Sequence, residues 1–365
     1  MQSTKLDENG VSKNKSRQLK VRMRDSCAVV SSGFSVIDNS DVTFDVTRDL
    51  PAVRKSDVSA RSIRPPVKYA LQPRLAVAVL MLAHIAPGWA EEHEPRGTVG
   101  LTFQYVHEDG INTTIGRIDL GTSDAQSVVL DIDYYLNDRW TLSASLPFVK
   151  KRYNGSLPHD PDELDLPHVH DEFLDDGRYH SDFQDFRIGV RYAATTGPLS
   201  IEPFLSFTTP ITDYSAYAHA AVGQHLSKVD VGAILTHRLP LSDLYYRVAA
   251  SRVFVEEVLG VNVDYWRLDG EVGYFLNPRV ALKSFFLSRA GNGLKFPDDF
   301  PTPRNDERWY EHEALIAREY VIVGVGMDLS LDERRRLSVS LLKAAQSKFI
   351  HIIDYGVTVG ISHAF

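Results

Sequence analysis

Four histidines stand among clustered Asp and Glu residues in one polar stretch, HDPDELDLPHVHDEFLDDGRYHSD, at residues 159–182. Imidazole nitrogens suit zinc, copper or nickel, and clustered carboxylates suit calcium. The spacing matches neither an EF-hand loop nor a two-histidine helix motif. We interpret the stretch as an acidic surface loop, with metal binding as the alternative, and predict no metal site and no cofactor. The histidines are His159, His168, His170 and His180.

The sequence contains none of the catalytic signatures that we sought. It has no G-x-S-x-G elbow, no H-E-x-x-H pair and no glycine-rich phosphate loop. The single cysteine, Cys27, precedes the segment that we predict to fold, so that segment has neither a disulfide framework nor a thiol nucleophile. We expect a protein that is not an enzyme.

Charged residues alternate with apolar ones in the middle of the chain, as Asp131 and Asp133 do with Leu130 and Ile132. Every second residue of a strand shares one face of its sheet. If that face lines a barrel, it forms either a channel wall that selects solutes by charge and size, or an ion-pair network that fills a narrow interior. The residues predicted to line the lumen or bind solute are Asp131, Asp133, Asp185, Arg187, Arg191, Arg247, Arg267, Asp269 and Glu271, and Lys283 and Asp328 extend the series.

The last segment, YGVTVGISHAF, alternates most strictly. From Tyr355 to Phe365 the odd positions are apolar, aromatic or histidine, and the even positions are small or polar. This period is typical of a β-strand with two different faces. A final strand that ends on Phe resembles the closing strand of bacterial outer-membrane barrels, so we predict that Tyr355 and Phe365 form the signal for the barrel-assembly machinery. A soluble β-sandwich is the alternative.

Short and long connections alternate between about twelve such segments. The predicted short ones are 136–139, 195–198, 239–242, 277–278 and 331–334, and the long ones are 108–124, 151–182, 210–224, 256–261, 290–314 and 346–352. Short periplasmic turns and longer external loops are typical of transmembrane barrels. We predict an all-β fold, a transmembrane antiparallel up-and-down β-barrel of about 12 strands, surrounded by outer-membrane lipid of a Gram-negative bacterium. The predicted strands are 98–107, 127–135, 140–148, 185–192, 198–209, 225–238, 243–255, 262–276, 278–289, 315–331, 335–345 and 353–365.

The longest apolar block, Leu75–Ala86, follows basic residues and precedes small ones. We predict a signal peptide at 67–90, with a buried helix of a cytoplasmic protein as the alternative. Residues 1–66 are polar and aperiodic, which indicates a start assigned too far upstream or a disordered leader.

The predicted barrel, 91–365, is acidic. Residues 1–90 contain 14 of the 40 basic and 8 of the 48 acidic residues of the chain, so the barrel holds 26 basic and 40 acidic residues and has a net charge of −14. Nucleic acid is therefore not an expected partner.

N-terminal sequencing of the protein purified from membranes is expected to begin within a few residues of Glu91, because a secretory signal is removed on export. Recovery of Met1, or of any residue from 1–66, would contradict both the signal peptide and the displaced start.

Four pieces of the chain resemble one family of outer-membrane proteins, the barrels named for the meta-pathway of phenol degradation. They are SASLPFV at Ser143–Val149, SDFQDFRIGVRY at Ser181–Tyr192, FLSFTTPITDY at Phe204–Tyr214 and VGQHLSKVDVGAIL at Val222–Leu235. The chain departs from the family at Gln184, where a glycine is usual, and in a thinner glycine-rich segment after the fifth strand. The resemblance implies a channel for the uptake of small, sometimes aromatic, compounds.

Together these observations predict an outer-membrane channel for passive uptake of a small-molecule solute. Two alternatives stay open. One is an outer-membrane lipid-modifying enzyme, which would need a Ser and a His presented together near the membrane rim. The other is a plugged structural or adhesive barrel.

Overall fold

The computed structural model describes residues 95–156, 173–195, 197–300 and 307–365. The predicted leader and signal peptide lie outside these residues, and so do His159, His168 and His170. Within them, no helix is long and apolar enough to cross a membrane. The elements are β1 (Gly97–Thr113), β2 (Gly116–Tyr135), β3 (Trp140–Gly155), β4 (His180–Phe183), β5 (Phe186–Tyr192), β6 (Leu199–Thr209), β7 (Lys228–Arg238), β8 (Leu244–Val255), β9 (Tyr265–Asn277), β10 (Val280–Gly291), α1 (Glu307–Tyr310), α2 (His312–Leu315), β11 (Glu319–Ser330), β12 (Arg335–Lys348) and β13 (His351–Ala364).

The strands form one antiparallel sheet that closes on itself. Strands adjacent in the chain pair in turn, and β13 pairs with β1 from Ala364 opposite Thr98 to His351 opposite Ile111. Because β4 and β5 both pair with β3, they are two halves of one strand, and the barrel has 12 strands. The predicted fold class and strand number are confirmed.

A bulge at Gln184 and Asp185 separates β4 from β5. Opposite it lies Pro147 of β3, which has no N–H to donate to the ladder, although its carbonyl still accepts from the Gln184 N–H at 3.0 Å. The register of β3 against the two halves differs by one residue. The extra residue lets both Gln184 and Asp185 contact the connection between β6 and β7.

Exposed and buried positions are inverted relative to a soluble domain. Val325 and Leu341 of the outer face are each 56% exposed, whereas Lys151 is fully buried. Exposed aromatic residues occur near both ends of the strands: Tyr134, Trp140, Tyr274 and Phe365 near the short turns, and Phe183, Phe254, Trp266 and Tyr355 towards the other end. An apolar band between two aromatic girdles is the outer surface of a transmembrane barrel.

The prediction of long loops at 108–124 and 346–352 is wrong. These residues continue β1 and β2, and β12 and β13, to two-residue turns. Beyond the lipid the outward positions no longer need to be apolar, and they carry residues such as His107 and Asp124. The alternating pattern therefore disappears while the strand pairing continues. The short turns agree with the prediction. Of the remaining long connections, the predicted 151–182 is too long at both ends, because β3 continues to Gly155 and β4 begins at His180.

The buried core lies inside the barrel, where apolar side chains from six neighbouring strands pack together. Val106 of β1, Phe285 of β10, Ile322 of β11, Leu342 of β12 and Ile353 of β13 belong to this cluster and are all at most 6% exposed. The charged series in the sequence did not predict it. Part of the interior is therefore filled by apolar contacts rather than by ions or water.

Candidate functional site

The residues predicted to line the lumen occupy strand positions that face the interior. On β2, Asp131 and Asp133 alternate with Leu130, Ile132 and Tyr134, whose side chains are exposed on the outer face. Successive residues of a strand point to opposite faces of the sheet, so the two carboxylates point inwards. The same reasoning applies to the charged residues of β5, β8 and β9, which alternate with exposed apolar residues.

Several of these side chains form ion pairs that span a strand. Arg191 of β5 lies 2.8 Å from Asp133 of β2, across β3. Arg267 of β9 lies 3.2 Å from Asp230 of β7, across β8, and 3.2 Å from Asp269 on its own strand. The curvature of the closed sheet brings side chains of next-nearest strands together, and the resulting pairs tie the wall across its strands.

Lys283 of β10 is the centre of a second group. Its ammonium lies 3.0 Å from Asp328 and 3.7 Å from Glu271. Glu271 also accepts a hydrogen bond of 2.7 Å from the Tyr245 hydroxyl. All four side chains are buried, and each charge in the group has an opposite charge as its partner, as burial requires.

Asp185, at the bulge, has two partners. The Tyr214 hydroxyl donates a hydrogen bond to it, and Lys228 of β7 lies 3.7 Å away. Asp185 is 7% exposed. Its interactions connect the wall to the loop that carries Tyr214, so it has a role in holding this loop.

Three predicted residues differ from the others. Arg187, Arg247 and Asp131 have no oppositely charged group within 4.0 Å among the described residues, and all three are partly exposed. Arg247 stands directly opposite Glu271 in the β8–β9 pairing, but Glu271 is engaged by Lys283 and Tyr245. These groups therefore point into the lumen without a counter-ion at that distance from the described part of the chain.

The connection between β6 and β7, residues 210–227, folds into the barrel. We call it the lumen loop. Its Tyr214 and Val222 pack against Val129 of β2 and Val149 of β3, which are inward-facing wall residues. Its middle is small and apolar, and Ala220 is 0% exposed.

Backbone and side-chain hydrogen bonds fix the lumen loop. The Asp175 carboxylate accepts from the N–H groups of His219, at 3.1 Å, and Ala220, at 2.8 Å. The Gln184 amide donates to the Val222 carbonyl at 2.7 Å. Gly223 lies against Gln184, because a Cβ there would be 3.1 Å from its Cγ.

His219 of the lumen loop contacts the barrel wall. Its ring stacks on Tyr153 at 4.2 Å between centroids, and its Nδ1 lies 3.3 Å from Nε2 of His351. Nearby on the inner wall, Lys151 and Glu108 form a buried ion pair of 3.6 Å, with side chains 0% and 2% exposed. The lumen loop is thus held at both edges.

A second connection, residues 292–318, also contributes buried residues at the same end. The Leu294 N–H donates to the Leu315 carbonyl at 2.8 Å, and the Gln224 amide of the lumen loop donates to the Ala314 carbonyl at 3.2 Å. Leu226, Val263, Leu294 and Leu315 share one apolar cluster. The two connections therefore pack against each other and narrow the external mouth.

A cavity of about 590 Å³ lies between the lumen loop, the start of β4, the β8–β9 connection and α1. Its wall includes His180, which contacts Asp176 at 2.9 Å. Burial would raise the pKa of Asp176, but hydrogen bonds from His180 and Arg178 outweigh it and lower the pKa to about 2. This carboxylate is ionised at neutral pH.

The described residues contain no group of three or more side chains that could hold a metal ion. Three of the four histidines of the 159–182 stretch lie outside these residues. The prediction of no metal site in that stretch therefore stays a prediction.

A closed antiparallel barrel with an apolar lipid-facing band, aromatic girdles, short turns at one end and long connections at the other is a transmembrane barrel of the outer-membrane type. The protein lies in the outer membrane of a Gram-negative bacterium.

The fold is similar to that of an outer membrane channel from Pseudomonas putida F1, with a TM-score of 0.57 and 13% identity over 77% of this chain and 100% of that chain. The translocator domain of autotransporter NalP from Neisseria meningitidis has a TM-score of 0.42 and 11% identity over 80% and 96%. The P. putida toluene transporter TodX has a TM-score of 0.40 and 9% identity over 75% and 91%. No family model and no curated sequence matches the chain. The first similarity shows the barrel fold, and the other two are too distant to carry an argument.

The inward position of the lumen loop and the partner charges Lys228 and Asp230 were not predicted from the sequence. The two charges continue the alternation of β7, so the pattern already identified would have found them. The lumen loop is marked by its run of alanines, Ala216, Ala218, Ala220 and Ala221, which is unusual for an exposed external loop.

Proposed function

We propose that the protein is a channel for passive uptake of small solutes. The observation that carries this proposal is that Arg187, Arg247 and Asp131 face the interior, are partly exposed and have no ion-pair partner within 4.0 Å among the described residues. An ion-pair network that merely filled the interior would pair them, because an unpaired charge in a dry interior is costly. Partly exposed charges that lack an ion-pair partner at this distance in the described part of the chain are instead consistent with a hydrated pathway.

The paired groups have a different role in this proposal. The pairs of Arg191 with Asp133 and of Arg267 with Asp230 and Asp269 hold the wall in shape. Arg187, Arg247 and Asp131 provide the fixed charge that a permeating solute meets. Both interpretations of the charged series thus apply, each to a different subset of the residues.

The class of solute follows from the resemblance to the phenol-degradation barrels, which supports small and sometimes aromatic compounds. Phe204 is compatible with this class, because its inward position on β6 alternates with the exposed Leu205. An inward aromatic ring gives an apolar surface on which the ring of a solute can pack. We therefore include aromatic compounds among the proposed solutes.

The purified protein in a planar bilayer is expected to pass current, and Arg187→Glu with Arg247→Glu is expected to shift its ion preference towards cations. Fixed charge on a pore wall selects its counter-ion. Neither arginine has an ion-pair partner within 4.0 Å among the described residues, so the change leaves no orphaned carboxylate at that distance. The reversal potential in a potassium chloride gradient measures the shift.

Arg191→Gln is the matched control, because it removes one arginine from the strand that carries Arg187. It orphans Asp133, so we expect a loss of stability of about 1–3 kcal/mol rather than a comparable change of selectivity. A wild-type barrel that is folded, as shown by heat-modifiable migration, yet passes no current would contradict the channel.

A plugged barrel is the second candidate, and the lumen loop is the observation that favours it. Its residues Ala218 and Ala220 are fully buried inside the barrel. A loop held this firmly either narrows a pathway or closes it. Shortening the loop distinguishes the two functions.

A further inference from the structure

The lumen loop contacts the barrel wall through a pair of histidines. His219 belongs to the lumen loop and His351 begins β13, and both residues are 0% exposed. Nδ1 of His219 lies 3.3 Å from Nε2 of His351, which is a hydrogen-bond distance. One of these two nitrogens donates a hydrogen and the other accepts it, so the accepting nitrogen is unprotonated. At least one of the two rings is therefore neutral while the contact holds.

Tyr153 of β3 completes this junction between loop and wall. Its ring stacks on that of His219 at 4.2 Å between centroids and lies 6.0 Å from that of His351. Tyr153 is also 0% exposed. The junction is thus shielded from solvent, and charge that is not compensated there is unfavourable.

We propose that the histidine pair is a pH-sensitive latch, which holds the lumen loop against the wall at neutral pH and releases it in acid. When both rings are protonated, both facing nitrogens carry a hydrogen, so the hydrogen bond is lost and two positive charges repel each other. In the released loop each ring can bind its proton in water. The released loop therefore binds more protons than the docked loop, and acid below about pH 6.5, where imidazole normally titrates, shifts the population towards it.

Carboxylates around the junction favour the first proton but not the second. Asp119 of β2, Asp175 before β4 and Glu313 of α2 lie close enough to act on the hydroxyl of Tyr153. Their negative charge favours a single imidazolium in the pair, which can still donate to its neutral partner. A second proton faces the first across the contact, so the second proton opens the latch.

Two further charged groups near the junction form a pair of their own. Lys151 of β3 lies 3.6 Å from Glu108 of β1, and Glu108 stands opposite Ile353, two residues from His351 on β13. This pair is neutral as a whole, so it does not supply the counter-charge that a second imidazolium would need.

The reactivity of a cysteine in the lumen loop measures its release without any current. Ala218→Cys in the full-length protein places a thiol beside His219, at a position that is 0% exposed. We divide its rate of reaction with a pyridyl disulfide by that of Leu241→Cys, which stands on an exposed turn. This ratio is expected to rise at least about tenfold between about pH 7.5 and about pH 5, below the usual pKa of imidazole and above those of carboxylates. Mass spectrometry of the peptide that carries the thiol excludes any signal from Cys27.

Two histidine variants in the Ala218→Cys background test the origin of the response. His351→Gln keeps a hydrogen-bonding group on the wall but does not titrate, so the ratio is expected to change less than about twofold over the same range. His225→Asn is the matched control, because it removes the other histidine of the lumen loop, whose ring contacts Thr212 and Asp213 of that loop. It is expected to respond to pH as Ala218→Cys alone does.

An unchanged ratio in acid, or a full response in the folded His351→Gln variant, would overturn the latch. If His351→Gln does not fold, His219→Asn makes the same test from the loop side. If Ala218→Cys does not fold, hydrogen exchange of residues 215–223 in the wild type and in His351→Gln, corrected for the intrinsic effect of pH, gives the same comparison.

The effect of the latch on conduction rests on the proposed function. If the protein is a channel, the current of the wild type is expected to rise in acid together with the reactivity of the Ala218→Cys thiol. A folded barrel that passes no current at either pH, but whose loop is still released by acid, would contradict the channel and support the latch. A current with no pH response, together with an unchanged ratio, would support the channel and overturn the latch.

Discussion

Replacing residues 215–223 of the lumen loop by a short glycine–serine linker is expected to raise the single-channel conductance severalfold. The removed segment includes Ala218, Ala220 and Val222, which are buried inside the barrel. A barrel of 12 strands lies between the eight-stranded barrels that side chains fill and the sixteen-stranded open porins, so one inserted loop determines how much of its cross-section is free. Planar-bilayer recordings measure the change.

Asp175→Asn is the milder companion of this deletion. It keeps the loop but replaces the carboxylate that accepts the N–H groups of His219 and Ala220. We expect a noisier current of intermediate size, because the loop is then less firmly held while the barrel wall is unchanged.

Three outcomes of the deletion of residues 215–223 are informative. A rise in an already measurable current supports a narrowed channel, current only after deletion supports a plugged barrel, and an unchanged current in a folded barrel contradicts the position of the loop in the pathway.

Period-two alternation predicted the strands because lipid imposes it on the outer face. On β13, Tyr355, Val357 and Val359 meet lipid while Gly356 and Thr358 face inwards, and no other arrangement buries the polar series. The same rule explains where the prediction failed. The outer ends of β1, β2, β12 and β13 lie beyond the lipid, so their outward positions are free to be polar and the pattern is lost.

The arrangement within the lumen could be predicted only in part. Alternation correctly places Arg187 and Arg191 on one face. It does not show that Arg191 is paired with Asp133, whereas Arg187 has no ion-pair partner within 4.0 Å in the described part of the chain. Pairing depends on the stagger between strands that are not adjacent, which is a property of the closed barrel. The inward position of the lumen loop depends likewise on distant contacts, such as that of Gln184 with Val222.

Deleting Phe365 is expected to leave export intact and to block assembly of the barrel in the outer membrane. The residue closes the seam between the first and last strands. Its carbonyl accepts from the N–H groups of Arg96, at 2.6 Å, and Gly97, at 3.2 Å, and its own N–H donates to the Gly97 carbonyl at 3.0 Å. Its ring covers Gly97, because a Cβ at that glycine would lie 2.7 Å from the Cζ of Phe365.

Two effects of this deletion are separable. The lost hydrogen bonds lie at the rim, where water can replace them, so the purified variant is expected to refold in detergent with only a modest loss of stability. Recognition by the assembly machinery has no such substitute if Phe365 is part of the signal. Cells should therefore accumulate the variant in the periplasm in a form without heat-modifiable migration, whereas the variant refolded in detergent should show heat-modifiable migration.

Leu331→Asp is the control. It removes another exposed apolar side chain from the same rim without altering the closing strand, and it is expected to assemble normally. Normal assembly of the Phe365 deletion, or an equal defect in Leu331→Asp, would contradict a signal specific to the last residue.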